Sequence, residues 1–202
     1  RSRQPAKGSG SQRPRIGIVV TGGHERLFVR SLGPVIERID SSRFELVVIC
    51  SPSGALRLRK ATALSSVELL PVAEPFGRLA RTIGDTRFDV LYYWEIGTDW
   101  TNYFLPFLRL APVQCTSWGI QVTSGIPQVD YYLSSALVEP DDAAEHYSET
   151  LLLAETLLSH RERSRVEGTP AREDFGFSEG EHLYLCAHQL GKFHPDFDHL
   201  MA

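Results

Sequence analysis

The chain has 202 residues, enough for one large hydrophobic core with part of a second. Its formal net charge of −4 argues against a nucleic acid or an anionic membrane surface as partner. No apolar run is long enough to cross a bilayer, and no signal peptide is recognisable. The three cysteines lie in apolar runs without metal-binding spacing. We therefore expect a cytoplasmic protein with buried, reduced thiols and no metal site.

The first residues differ in composition from the rest of the chain. Residues 1–14 are basic and rich in Gly, Ser and Pro, without apolar periodicity. This composition predicts a flexible linker. Because the chain begins at Arg1 rather than at Met, we expect it to be a piece of a longer protein.

From residue 15 onward, short apolar runs alternate with segments of helical periodicity. Strands are predicted over 15–20, 44–50, 67–72, 89–94, 112–118, 129–133 and 150–154. Helices are predicted from residue 25 and over 55–64, 75–84, 101–109 and 139–148. This repeated strand–helix–strand spacing predicts an α/β fold with a doubly wound, Rossmann-like parallel sheet over residues 15–158.

The character of the sequence changes after residue 158. Residues 159–173 are charged, contain Gly and Pro, and lack an apolar stripe, which predicts a linker. The apolar run 183–187 predicts a new buried strand, followed by a polar loop and a helix starting near Pro195. Residues 174–202 are therefore predicted to begin a second α/β lobe.

Three predicted strand-to-helix loops collect polar residues, over 21–24, 122–125 and 188–192. In a doubly wound sheet such loops lie along the carboxyl edge of the strands, where ligands bind. Gly23 would let the backbone approach a ligand, and His24 is placed for hydrogen bonding or proton transfer. The alternative is an ordinary tight turn with a His that caps the helix.

The other two loops allow similar pairs of interpretations. Thr123, Ser124 and Gly125 could hold a hydroxylated or phosphorylated ligand, or form a Ser/Thr turn. Lys192 could neutralise a phosphate with Gln189 beside it, or remain a solvated surface side chain.

Five short motifs occur in an order that resembles a known family. They are Ala111-Pro-Val-Gln114, Trp118-Gly119 with Thr123-Ser-Gly125, Asp130-Tyr131, Glu145-His-Tyr-Ser-Glu149, and Gln189-Leu-Gly-Lys192. Gly23-His24, with Pro34 ten residues further on, matches the same pattern. Together they resemble the catalytic region of the O-linked N-acetylglucosamine transferases and their SPINDLY-like bacterial relatives, over residues 15–200.

The resemblance implies a GT-B architecture, in which two Rossmann-like lobes hold a sugar nucleotide between them. It implies transfer of N-acetylglucosamine from UDP-N-acetylglucosamine to Ser or Thr hydroxyls of a protein acceptor, with inversion and without a metal or other cofactor. His24 would lie beside the sugar and the acceptor hydroxyl, and Lys192 would balance charge on the leaving diphosphate. Gly23, Thr123, Ser124, Gly125 and Gln189 would contact the substrates.

The sequence also departs from the family pattern. Ile120-Gln121 stands where an aromatic residue or His followed by Pro is usual, and Tyr93-Trp94-Glu95 replaces an Asn/Asp-rich loop. A non-catalytic scaffold domain, or a glycosyltransferase with another donor or acceptor such as Asn-directed hexosyl transfer, therefore remains open. We expect the isolated chain to be inactive, and an apolar cleft face near Trp118 and Phe193 to favour self-association.

Overall fold

The computed structural model describes residues 13–159 and 168–201. By the density of internal contacts the chain divides into two compact units, Arg1–Glu162 and Arg163–Ala202. The predicted linkers 1–14 and 159–173 lie partly outside the described residues, and the domain boundaries placed at them remain predictions.

The first unit is a seven-stranded sheet with helices between its strands. The strands are β1 (Arg15–Val19), β2 (Glu45–Cys50), β3 (Glu68–Pro71), β4 (Val90–Tyr93), β5 (Val113–Ser117), β6 (Tyr131–Ser135) and β7 (Thr150–Ala154). The helices are α1 (Glu25–Ile36), α2 (Pro52–Leu58), α3 (Phe76–Thr86) and α4 (Trp100–Phe104). Short 3₁₀ turns follow at Thr62–Leu64, Leu105–Leu108 and Ala143–His146.

The strand order is β3-β2-β1-β4-β5-β6-β7, and every neighbouring pair is parallel. The chain first builds outward from β1 to β3, and then returns to the other side of β1 with β4. β1 and β4 therefore flank the switch point, where the loops of a doubly wound sheet diverge and leave a crevice. The predicted doubly wound parallel sheet is confirmed.

Alternate residues of the strands bury two separate cores, one on each face of the sheet. Val47 and Ile49 pack on the α3 face, whereas Val48 and Cys50 pack on the α1 and α2 face. The inner strand β2 is apolar on both faces over residues 47–50 because helices cover both. Full burial of one such side chain stabilises the fold by about 1.5–3 kcal/mol, so both layers contribute.

Two predicted elements are absent. The helix predicted over 139–148 is only the 3₁₀ turn Ala143–His146. Hydroxyls of Ser134 and Tyr147 both donate to Glu139, at 2.6 and 2.9 Å, and these tertiary contacts outweigh the helical preference of a segment too short to be helical by itself.

The strand predicted over 183–187 is also wrong. The second unit, as described over 168–201, contains 3₁₀ turns and the four-residue helix α5 (Asp198–Met201), and these residues include no strand. A strand requires a neighbour to satisfy its backbone groups, and the described part of this unit offers none. Leu185 and Cys186 are consequently exposed, so the thiol predicted to be buried is not.

The other two cysteines are buried, as predicted. Burial raises the pKa of the Cys50 thiol to about 11, with a smaller contribution from Glu25. Burial likewise raises the pKa of Cys115 to about 12. Both thiols are therefore protonated and unreactive near neutral pH. No helix in the described part of the chain has the length and apolar character needed to cross a membrane.

Candidate active site at the sheet switch point

The loop between β1 and α1 is anchored at one end and open at the other. Thr21 is buried, and its hydroxyl accepts a hydrogen bond from the Asn102 amide at 2.5 Å. Gly23 has a positive φ of 88°, which favours glycine, and no atom lies within 4 Å of the position a Cβ would take. The loop therefore presents its backbone to solvent immediately before His24.

His24 is held by a carboxylate from the neighbouring strand. Its Nδ1 lies 2.9 and 3.2 Å from the two carboxylate oxygens of Glu95, which follows β4. The Glu95 side chain is 5% exposed, whereas the His24 side chain is 42% exposed. The switch point thus joins a buried acid to an imidazole that solvent can reach.

This contact decides how the imidazole is oriented. His24 occupies the position before α1, but its side chain makes no capping hydrogen bond, so the alternative of a helix-capping His is wrong. A carboxylate can only accept a hydrogen bond, so Nδ1 carries the proton. In neutral His24, Nε2 is then the unprotonated nitrogen that can accept a proton from a substrate.

Close packing of the loop after β5 supports Glu95. A Cβ on Gly119 would lie 2.0 Å from the backbone oxygen of Trp94 and 3.1 Å from Cγ of Glu95. Only a residue without a side chain allows this approach. The motif residue Gly119 is therefore part of the packing that positions the acid.

Glu95 was missed as a site residue by the sequence prediction. It was recognised only as a departure from the family pattern. An acidic residue directly after a predicted strand, with a polar His loop after another strand, is the signal that could have found it.

The loop containing Thr123, Ser124 and Gly125 is tied to a second buried acid. Glu149 accepts from the Thr123 hydroxyl at 2.6 Å, from the Ser124 backbone N–H at 2.8 Å, and from the Ser124 hydroxyl. Burial alone would raise the pKa of Glu149, but these hydrogen bonds outweigh it and hold the pKa below its ordinary value. Both hydroxyls face Glu149 here, and their contact with a ligand remains a prediction.

Gln189 and Lys192 lie in the second unit. Lys192 ends a 3₁₀ turn, and its backbone N–H donates to the Gln189 carbonyl at 2.9 Å. Both side chains are exposed. The structure brings His24 to Glu95, and Thr123 and Ser124 to Glu149, within the first unit alone.

Two other kinds of site come into question, a metal site and an aromatic surface. Over residues 13–159 and 168–201, no group of three or more His, Cys, Asp or Glu side chains is arranged to hold a metal ion. The aromatic residues Tyr93 and Trp94 are buried in the two cores, at or below 1% exposure.

Comparison with known proteins gives matches in sequence and in structure. No protein-family profile matches the chain. It is 27% identical over 125 residues to an Arabidopsis thaliana protein named "Probable UDP-N-acetylglucosamine--peptide N-acetylglucosaminyltransferase SEC", an alignment that covers 58% of this chain and 13% of the plant protein. The fold of this chain is similar to that of a mutant O-GlcNAc transferase from Thermobaculum terrenum, with a TM-score of 0.60 and 23% sequence identity. The chain resembles the O-GlcNAc transferases in sequence and in fold.

The resemblance predicted from the ordered motifs is thereby confirmed, and so is the α/β fold class. The structural match covers 78% of this chain but 31% of the Thermobaculum O-GlcNAc transferase. Because the chain spans only a small part of either relative, their complete activity, substrates and partners enter only as a proposal.

Proposed function

We propose that this chain supplies the first catalytic lobe of a protein O-glycosyltransferase. The reaction is transfer of N-acetylglucosamine from UDP-N-acetylglucosamine to a Ser or Thr hydroxyl, with inversion at the anomeric carbon and without a metal. The likeness to O-GlcNAc transferases supports the general class. The hydrogen-bonded pair of His24 and Glu95 at the switch point is the observation that carries the proposal.

The pair is suited to the proton transfer that this chemistry requires. The acceptor oxygen attacks the anomeric carbon as the bond from that carbon to the UDP oxygen breaks, and direct displacement inverts the centre. The hydroxyl proton passes to Nε2 of His24. The resulting imidazolium is stabilised by Glu95, whose buried carboxylate already faces Nδ1. A positioned base of this kind contributes about 10²–10⁴ in rate.

The remaining predicted residues have roles on the substrate side. Lys192 would balance the negative charge that develops on the departing diphosphate, and Gln189 would contact the nucleotide. Gly23 would allow the acceptor or sugar to approach the backbone before His24, and Gly125, with its open surroundings and φ of 65°, would do the same on the second loop. Thr123 and Ser124 would act from positions fixed by Glu149.

The test is transfer of radiolabelled N-acetylglucosamine by the full-length protein and its variants. We expect His24→Ala to lower kcat by about 10²–10⁴, because the proton acceptor is lost. Lys192→Ala should also reduce transfer severely. His146→Ala, which removes an exposed His elsewhere in the same unit, is the matched control and should leave the rate unchanged. Near-normal turnover by His24→Ala would overturn the proposed base.

The variant Glu95→Gln tests whether Glu95 acts by orienting the His24 imidazole rather than by stabilising the fold. An amide at this position can donate to Nδ1 and stabilise the wrong tautomer, so we expect kcat to fall while KM changes little. Glu95→Asp keeps the acid and should recover part of the rate.

Two observations favour a second candidate. Glu149 already engages the hydroxyls of Thr123 and Ser124, and Glu95 differs from the residues usual in the family. A scaffold domain, or a transferase that uses another sugar, would have such a site. Incubation with a panel of radiolabelled UDP- and GDP-sugars distinguishes these cases: a scaffold labels no protein, and another transferase labels with a different sugar.

A further inference from the structure

A groove of about 830 Å³ runs beside His24, between α1 and the end of α2. Four basic side chains line this α1–α2 groove: Arg26, Arg30, Arg57 and Lys60. Gly23 and His24 line it as well, so the groove is continuous with the candidate active site. A surface that adjoins the proposed base can contact the residues that flank an acceptor hydroxyl.

The charge of the groove is strongly one-sided. Glu25 is the one acid that lines it, and Arg57 neutralises Glu25 through contacts of 2.9 and 2.8 Å. The structure gives no ion pair for Arg26, Arg30 or Lys60 within residues 13–159 and 168–201. Three positive charges therefore remain on a chain whose net charge is −4.

The lining indicates a peptide rather than a nucleotide. No Phe, Tyr or Trp lines the groove, so a nucleobase would have no aromatic side chain to stack on. The apolar side chains that reach the surface of the groove are the aliphatic Leu27 and Val29, which suit the methylene groups of side chains on a polypeptide. Arg26 and Arg30 are four residues apart on α1, which places their Cβ atoms about 5–6 Å apart. Alternate residues of an extended peptide have a similar spacing, about 6–7 Å.

We propose that the α1–α2 groove binds an acidic segment of the protein acceptor. The acceptor Ser or Thr would then be presented to His24 while flanking Asp or Glu residues contact Arg26, Arg30 and Lys60. Sites rich in acidic residues would be preferred over neutral ones. The identification of the bound segment as an acceptor rests on the proposed function, whereas its acidic character follows from the groove itself.

The experiment measures binding first and without any sugar nucleotide. A fluorescein-labelled peptide with a central Ser flanked by Glu is titrated with the full-length protein, and anisotropy gives Kd. Its partner peptide has Gln in place of every Glu. We expect the Glu peptide to bind about tenfold more tightly or better, and the difference to shrink as salt is added.

Paired charge reversals locate the binding surface. The groove variant carries Arg26→Glu and Arg30→Glu. The control variant carries Arg78→Glu and Arg81→Glu at exposed positions of α3, so that the net charge of the protein changes by the same amount. The groove variant should lose about tenfold or more in affinity for the acidic peptide, and the α3 variant should not. Circular dichroism establishes that both variants are folded. If the groove variant does not fold, the comparison is made with the milder double substitution Arg26→Gln and Arg30→Gln.

The outcomes separate this proposal from the proposed function. Equal affinity for the two peptides, or equal losses in the two variants, would overturn the groove as a binding surface. If UDP competes with the peptide for the α1–α2 groove, the proposal would also be overturned, because the basic residues would then bind the sugar donor. Peptide binding that depends on the groove, without transfer to the peptide, would support the acidic-segment site and count against the transferase. In a transferring protein, the groove variant should raise KM for the acidic peptide and leave kcat unchanged.

Discussion

Gln114 shows how one motif residue can serve structure rather than chemistry. Its side chain is fully buried, and its Oε1 accepts from the Tyr93 hydroxyl at 2.9 Å. Its Nε2 donates to the carbonyls of Pro106 and Gln128, each at 2.8 Å. The amide therefore connects β4, β5 and the loops on either side of β5. This accounts for the Gln of the Ala-Pro-Val-Gln motif without any contact to a substrate.

Replacing Gln114 by Leu should destabilise the first unit. The substitution keeps most of the volume but removes the partner of the Tyr93 hydroxyl and of the Pro106 carbonyl, and each unsatisfied buried group costs about 1–3 kcal/mol. The Gln128 carbonyl keeps its hydrogen bond from Arg109. We expect the free energy of unfolding in urea to fall by about 3 kcal/mol or more. Gln121→Leu, at an exposed position of the same segment, should change it by less than about 0.5 kcal/mol. Equal urea midpoints for the two variants would contradict this role for Gln114.

Single residues also show where sequence interpretation stops. His24 was predicted as a site residue because a glycine-rich turn after a buried strand exposes the next side chain. Its partner Glu95 lies 71 residues away, and only the placement of β4 beside β1 brings the two together. Glu149 is likewise 25 and 26 residues from the hydroxyls it binds. Hydrogen bonds between distant residues depend on strand order, which local patterns do not contain.

At the scale of elements, the seven predicted strands of the first unit were confirmed. The inner strands β1 and β2 bury apolar residues between helix layers, whereas the edge strands β3 and β7 are largely exposed but still form short runs rich in leucine. A short apolar run is a local signal that does not depend on its neighbours. The helix over 139–148 and the strand over 183–187 failed for the opposite reason. The first was overridden by hydrogen bonds to Glu139, and the second has no strand beside it among the described residues. Local propensity decides an element only when the surrounding structure agrees with it.

The loop that joins β5 to the Thr123 region depends on Gly119. Ala at this position would place a Cβ 2.0 Å from the Trp94 backbone oxygen, so one of the two loops must move. We expect Gly119→Ala to lower the free energy of unfolding by about 1–3 kcal/mol. It should also reduce transfer, because the contact to be relieved includes Cγ of Glu95 and disturbs the position of that acid. Gly77→Ala in α3, where no atom lies within 4 Å, should be neutral or stabilising by about 0.5–1 kcal/mol. Indistinguishable effects of these two substitutions, measured by urea unfolding, would refute the close approach at Gly119.

At the scale of the whole molecule, two buried carboxylates hold the loops around the candidate site. Glu149 fixes the Thr123 and Ser124 loop, and Glu25 joins the start of α1 to Arg57 of α2. Burial opposes ionisation of Glu25, but its hydrogen bonds with Arg57 and with backbone N–H groups outweigh burial, so its pKa also lies below the ordinary value. The same acid neutralises one of the four cations that line the α1–α2 groove. Folding and the charge of the groove are therefore linked through Glu25.

These two lowered pKa values predict how stability depends on pH. A carboxyl group with a lower pKa in the folded state stabilises the fold fully above its unfolded pKa of 4.5, and this contribution is lost as pH falls through the folded pKa. The free energy of unfolding should therefore decline as pH falls below about 5. The Cys50 and Cys115 thiols, whose pKa values are raised to about 11 and about 12, stay protonated over this range and contribute nothing to the decline. Glu149→Gln should be less stable than the unmodified protein at neutral pH but should lose less stability on acidification, so that the difference between the two narrows. Urea unfolding from neutral pH to about pH 3 measures this difference. A constant difference across that range would show that ionised Glu149 does not hold the loop.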